Sequence, residues 1–213
     1  MELSRRIPFH ALLPAHHLIA AEIQAAVDRV LNSGSYILGP ELESFESQFA
    51  TYIGVKHAVG VANGTDAIEL ALRAADIGPG DEVITVSHTA VPTVCAVERA
   101  GAKPVLVDVD PDSYTIDPGD THAYHLFVIR YQHRDAMREW LDGRGVGTAV
   151  HYPTPVHLQP AYRHLGVLPG SLPATEQVAA EIISLPLYIG LAAGDVREIG
   201  GLVTAGAEEL TRD

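Results

Sequence analysis

The chain has 213 residues, of which 47% are apolar and 19% charged, and a formal net charge of −13. A compact globule of that length buries about 70% of its unfolded surface, enough for one large domain or two small ones. The 14 lysines and arginines do not cluster, which excludes the basic stripe of a nucleic-acid groove but leaves room for a small anionic ligand held by local donors.

Residues 1–15 hold two prolines and little periodicity and read as an extended arm. From His17 to Asn32 the apolar residues Ile19, Ile23, Val27, Val30 and Leu31 fall on one helical face, and Ser33-Gly34 ends that helix. Gly39-Pro40 opens a second helix with the stripe Leu42, Phe45 and Phe49. A strand is expected over His57–Ala62, then a tight turn, then a helix over 65–76. That helix is apolar most of the way round, so it should be buried. "VITV" (83–86) and "PVLVDV" (104–109) read as buried strands. Between them lies a helix over 89–100 with Pro92 in its first turn, where proline is tolerated. Cys95 sits in that helix as a small core residue, and one cysteine permits no intrachain disulfide. Strands alternating with helices predict an α/β layer with parallel pairing.

Beyond Pro118 the texture changes. "YHLFVIRY" reads as a strand, "RDAMREWLDGRG" as an amphipathic helix and "VGTAVHY" as a strand. A proline-rich loop with a short helical piece follows, then a helix over 174–184, extended "SLPLYIG" and a helix over 193–206. This is a second, smaller α+β unit, joined to the first near Asp117–Thr121. No run is long and apolar enough to span a membrane. "MELSRRIPFH" lacks the apolar core of a signal peptide, so the cytoplasm is the expected compartment.

"ANGTDAI" places the N–H groups of Gly64, Thr65 and Asp66 at a helix start, where the dipole adds positive charge. That is an anion site of the phosphate type, with the Thr65 hydroxyl as a further donor. The same residues equally make a plain capped helix, with Asn63 or Thr65 as cap. The spacing matches neither a Walker loop nor a dinucleotide turn.

Five stretches carry a resemblance. "SGSYILGPELESFESQFATYIGVKHAVGVANGTDAIELALRA" and "GPGDEVITVSHTAVPTVCAVERAGAKPVLVDVDPDSYTIDP" resemble the start of the nucleotide-sugar aminotransferases of the DegT/StrS type. "YHLFVIR", "RDAMREWLDGRGVGTAVHYPTPVHLQPAYRHLG" and "EIISLPLY" are similar to the end of the same family. The resemblance implies an incomplete fold-type I large domain, α/β with a mostly parallel sheet, in residues 1–118. A smaller C-terminal α+β domain follows in 119–213. It implies pyridoxal 5'-phosphate as cofactor, glutamate and a nucleotide-linked keto sugar as substrates, and a homodimer. It makes Gly64, Thr65 and Asp66 the phosphate cradle and sets "SHTAVPT" over the cofactor ring. Many relatives have an aromatic residue where this chain has Ala90, and His88 is the nearest flat side chain that could stack instead. His151 and Tyr152 fall near the sugar site.

The resemblance also exposes a gap. The reaction needs a lysine amine that bonds the cofactor aldehyde and shuttles the substrate proton. Relatives carry it in a central segment, with the carboxylate that pairs the pyridine nitrogen. Here "YTIDP" runs straight into "GDTHAYHLFVIR", and the two lysines, Lys56 and Lys103, match ordinary family positions. Asp117 and Asp120 flank the seam without replacing that carboxylate. Bare strand edges and uncovered apolar faces should result. The chain is therefore expected to be incompetent for catalysis alone, with a non-catalytic binding or interaction remnant as the alternative.

A third class rests on "DVDPDSYTID". Asp108, Asp110 and Asp112 have the opening spacing of a calcium loop, but Ser113 and Gly119 stand where glycine and glutamate are needed. Asp108 and Asp110 also resemble the D-x-D pair of metal-dependent glycosyltransferases, with a plain turn at a strand end as the alternative. Of the 11 histidines, the pairs His16/His17, His122/His125 and His151/His157 lack the partners of a zinc set.

Overall fold

The computed structural model describes residues 6–116 and 125–211. The proposed join and the residues Asp117, Gly119, Asp120 and His122 lie outside the described residues.

Helix α1 spans Leu13–Ser33 and ends at Gly34 in the left-handed conformation. Helix α2 spans Pro40–Ile53, with Pro40 in its first turn. Both carry the expected stripes, yet α1 has no buried residue and α2 only Ala50. Residues 57–62 form no strand. A strand needs a partner to fill its hydrogen bonds, and among the described residues none lies beside this one. Helix α3 spans Gly64–Ala74. It too lacks a buried residue, and Leu70 is 51% exposed: its apolar surface asks for burial, and the loss of the central segment leaves it the uncovered face expected from that gap.

Strands β1 (Glu82–Val86) and β2 (Lys103–Val107) pair in parallel, Glu82 opposite Lys103 and Val86 opposite Val107. They are joined by α4 (Val91–Ala100), whose Val94, Ala96, Val97 and Ala100 are buried. This is a β-α-β unit, the connection that parallel neighbours require.

The C-terminal half is better packed. Strand β3 (Phe127–Arg130) pairs antiparallel with β4 (Ile182–Leu185), Phe127 facing Leu185. Helix α5 (Arg134–Asp142) and helix α7 (Ala193–Leu210) cover this ribbon. Gly206 lets them approach, since a Cβ there would stand 2.9 Å from Met137 Sδ. Helix α6 (Pro173–Glu181) stops three residues short of the expected end, because Ile182-Ile183 takes the extended form that β-branched residues prefer and joins β3. "VGTAVHY" also departs from expectation. It makes only two isolated bridges, Val146 with Ile7 and Ala149 with Ser184, so its two ends pair with different partners and no continuous ladder forms.

The N-terminal arm belongs to this half. Ile7 is buried beside Met137, Leu141, Val146, Ile183, Leu185 and Ile199. Its N–H donates to the Gly145 carbonyl (2.8 Å) and its carbonyl accepts from the Gly147 N–H (2.8 Å). A Cβ on Gly147 would come within 2.8 Å of the Phe9 nitrogen, so only glycine admits the arm there. Two further cores cross between the halves. Val94 and Leu106 pack with Val156, Tyr162 and Leu172, and Val109 packs with Val178 and Ile182.

Candidate functional site

Asn63 caps α3, its Oδ1 accepting from the Asp66 N–H at 2.9 Å. The Ala67 N–H is used by the Asn63 carbonyl. The Gly64 and Thr65 N–H groups are the first two of the helix, where no intrahelical acceptor exists. Nothing lies within 4 Å of a Cβ built on Gly64, so the approach to these donors is open. The Asp66 carboxylate is engaged elsewhere. It accepts from Asn63 Nδ2 (3.0 Å) and pairs with Arg99 (3.1 Å), which also holds Glu69 (2.8 Å). Arg73 pairs with Glu69 (3.0 Å) and donates to the Arg99 carbonyl. These four charged side chains fasten α3 to α4.

His88 lies after the end of β1, before the first turn of α4. Arg99 stands in the last turn of α4, which is about 15 Å long at 1.5 Å per residue. The Asp66 carboxylate is thus tied to a side chain at the far end of α4 from His88. His88 instead meets the other sequence-predicted group. Its ring contacts the His151 backbone, and its buried Nδ1 has no hydrogen-bond partner among the described residues. Burial pushes the His88 pKa down, against the opposing pull of the His151 backbone contact. His151 stacks on Phe9 with ring centres 5.5 Å apart, and its Nδ1 lies 2.9 Å from Ser184 Oγ. Burial also lowers the His151 pKa, aided by the nearby His125. The Tyr152 ring meets His151 edge-on at 5.6 Å and is 39% exposed. The structure therefore brings His88, His151 and Tyr152 together, while the Asp66 carboxylate is taken up by Asn63 and Arg99.

Sequence reasoning missed the group that holds these parts in place. Ser87, fully buried, faces His157 Nδ1 through its Oγ at 2.7 Å, and the same oxygen accepts from the His157 N–H (3.1 Å). The Ser87 carbonyl accepts from the Val156 N–H at 3.0 Å. His157 Nε2 lies 3.1 Å from Glu176, which also accepts from the Gly170 N–H at 2.7 Å. With Nε2–H donating to the carboxylate, Nδ1 is the acceptor for the Ser87 hydroxyl. The chain Ser87–His157–Glu176 has the residue types of a nucleophile, base and orienter. Its serine is 0% exposed, so it works as a clasp between the halves. No spacing rule links positions 87, 157 and 176; a signal exists only in the pairing of a strand end with a distant loop.

The aspartate motif is also absorbed by the fold. Asp108 caps α6, accepting from the Thr175 N–H (2.6 Å), the Ala174 N–H (3.0 Å) and the Val109 N–H (3.0 Å). Burial works to raise its pKa, and these bonds outweigh burial and hold it low. Asp110 Oδ1 accepts from the N–H groups of Asp112 and Ser113 and from the Ser113 hydroxyl. Carboxylates so occupied are not a metal pair. No group of three His, Cys, Asp or Glu that could hold a metal occurs among the described residues. No helix among them is long and apolar enough to cross a membrane.

A parallel α/β layer with a smaller α+β unit packed on it defines an incomplete aminotransferase fold. The chain belongs to the DegT/DnrJ/EryC1/StrS aminotransferase family, whose pattern it matches over residues 17–121 and 118–204. It is 53% identical over 152 residues to the dTDP-3-amino-3,4,6-trideoxy-alpha-D-glucose transaminase of Streptomyces venezuelae, taking in 66% of this chain and 40% of that protein. It is 26% identical over 344 residues to the erythromycin biosynthesis sensory transduction protein EryC1 of Saccharopolyspora erythraea, taking in 85% of this chain and 94% of that one. Its fold matches the crystal structure of S. venezuelae DesV in complex with a ketimine intermediate, with a TM-score of 0.87 at 26% identity over 95% of this chain and 99% of the other. The stretches matched most closely thus span about two-fifths of the S. venezuelae transaminase.

Pyridoxal phosphate is the family's cofactor. The residues here fit one end of it. The free N–H groups of Gly64 and Thr65 suit its phosphate. The other end has no anchor. Lys103 opens β2, and its Nζ pairs with Glu82 at 2.7 Å. His88 lies past the opposite end of β1, a strand of 5 residues and so roughly 17 Å long at about 3.3 Å per residue. Lys56 is exposed on the segment before residue 57. Neither lysine therefore stands beside His88 among the described residues, and no catalytic step through the group follows from them.

Proposed function

We propose that the chain comprises the two outer parts of a pyridoxal-phosphate-dependent nucleotide-sugar aminotransferase and does not turn over by itself. The whole enzyme would move an amino group from glutamate to a keto sugar carried on a nucleotide, in the cytoplasm and as a homodimer. Residues 1–118 would form part of the cofactor domain and 119–213 the small domain. The Gly64 and Thr65 N–H groups, with Asp66 at the same helix start, would receive the phosphate. His88 would flank the ring, and His151 and Tyr152 would face the sugar.

The observation that carries this reading is the position of the lysines. One is paired with Glu82 at the wrong end of the sheet, and the other is exposed before the phosphate turn. The open N–H groups of Gly64 and Thr65 favour binding without bonding, which is the reading of a non-catalytic remnant. Titration with pyridoxal phosphate, followed by borohydride reduction and peptide mass spectrometry, tests both. The expected result is weak binding that inorganic phosphate competes away, with no lysine modified at one specific site. A single lysine trapped in a sample that transaminates would overturn the reading.

A further inference from the structure

We propose that the bare apolar surface of residues 12–70 is a docking site for one particular partner. That partner is a separate polypeptide equivalent to the central segment that relatives carry between this chain's two halves. The inference rests on reading the chain as the outer parts of an aminotransferase. It adds that these parts accept the inner part as a second molecule.

Length and position define the partner. The alignment to EryC1 runs over 344 residues but uses 85% of 213, about 181, so roughly 160 residues of the relative have no counterpart here. They fall at the seam, because the family pattern matches in two stretches that meet at residues 118–121. The two halves nevertheless keep the arrangement of the intact fold, matching DesV at a TM-score of 0.87 over 95% of this chain. Their packing is held without the inner part, by the Ser87–His157–Glu176 clasp, the Asp108 cap on α6 and two shared cores.

The surface has the character of an interior. Of the 26 large apolar side chains exposed among the described residues, 18 lie between Leu12 and Leu70. Stable interfaces use about 20–30 residues a side, so this is surface on the scale of a permanent contact. It also has a backbone component. Residues 57–62 run without a ladder partner, with Val59 78% exposed, and the β1–β2 sheet has only two strands. Unpaired strands are templates for added strands. A second copy of this chain set against α1 and α2 would bring no new strands. Pairing residues 57–62 with themselves leaves each copy with a bare edge.

The test mixes the chain, without cofactor, with the stretch of S. venezuelae DesV that lies between the parts matching the two halves. Native mass spectrometry reads the stoichiometry, and hydrogen exchange reads Val59, Val61 and α3. The expected result is one segment per chain and exchange at Val59 and Val61 slowed on the order of a hundredfold, as for amides released only by sub-global opening. Val59→Asp with Val61→Asp should abolish the complex and leave the far-UV spectrum of the chain unchanged. The same stretch joined covalently between residues 117 and 125 should give the same protection, which shows that the segment folds against these faces. Protection in the joined protein but not in the mixture would overturn the proposal. So would protection in neither, or a dimer of the chain that excess segment does not open. None of these readouts involves pyridoxal phosphate. A complex that forms but does not transaminate when cofactor and substrates are added counts against the aminotransferase reading alone. Phosphate-competed cofactor binding without docking counts against this inference alone.

Discussion

Helices α1 and α2 and helices α5 and α7 are all amphipathic, and they end in opposite states. The stripes of α5 and α7 close on each other, on β3–β4 and on Ile7, so that Met137 and Leu141 are fully buried. The stripe of α1 buries no residue against the described part of the chain, and Phe45 and Phe49 of α2 stack on each other at 5.5 Å while both remain exposed. An apolar stripe specifies that a face must be covered; it does not say by what. In the C-terminal half the cover lies within the same stretch of chain. In residues 12–70 it is not among the described residues.

Core truncation separates the two regions most widely. Leu141→Ala should cost about 2–5 kcal/mol, the transfer loss plus the cavity left in a site with no exposed surface. Phe45→Ala, at a residue 56% exposed, should stay within about 0.5 kcal/mol. Urea unfolding of both variants checks this. An equal loss at Phe45 would mean that the α2 face is covered in solution.

Next in size is the clasp. His157→Ala leaves a buried serine hydroxyl and a carboxylate without their shared partner and should cost about 1–3 kcal/mol. His164 pairs with Glu98 at 2.7 Å but is 57% exposed, and its loss should cost no more than about 1 kcal/mol. If the two losses are equal, the Ser87–His157–Glu176 chain contributes nothing beyond a surface contact.

Acid should dissolve the contact between the halves in two windows. His88 and His151 have pKa values held below the ordinary imidazole value of 6.5, so their neutral forms favour the fold. Their contribution is complete above that value and is lost as pH falls through their depressed folded values. Glu176 feels burial first, which raises its pKa, but His157, Gly170 and Leu172 outweigh burial and hold it below 4.5. Glu181 is held low chiefly by Gln177 and then by Arg130, and Asp108 by the α6 N–H groups against its own burial. The carboxylate contribution is present above the ordinary values of 4.5 and 3.8 and disappears below them. Stability measured against pH should therefore fall first below about 6.5 and again below about 4.5. His88→Gln together with His151→Gln should remove the first step and keep the second.

Much of this was legible in the sequence where the signal is local. The helices, the parallel pair, Pro92 and Pro40 in first turns and the bared apolar faces all follow from short-range pattern and the lost segment. The strand at 57–62 was not legible as absent, because alternation reports a strand's faces and says nothing about its neighbour. The end of α6 was misplaced because Ile182-Ile183 suits a helix interior poorly but continues its apolar run. At the site, Asn63 was readable as a cap from the turn itself. The tie of Asp66 to Arg99, the cap that Asp108 places on α6 and the Ser87–His157 contact span 33, 67 and 70 positions, beyond any local rule.

Two caps of similar chemistry make the finest test. Asp108→Ala removes the acceptor for Ala174 and Thr175 N–H groups, and Asn63→Ala removes the acceptor for Asp66 N–H. Each should cost about 1 kcal/mol where it acts. Helix α6 sends Val178 into one shared core, and Leu172 just before it belongs to the other, so the Asp108 loss should lower the urea midpoint of the whole chain. Helix α3 has no buried residue and is fastened through Arg99 and Arg73 at its surface, so it should open apart from the rest. Asn63→Ala should leave the midpoint unchanged and speed amide exchange in α3 by roughly fivefold, the equivalent of 1 kcal/mol. A midpoint shift equal to that of Asp108→Ala would show α3 folding with the core. The two regions would then differ in exposure but not in cooperativity.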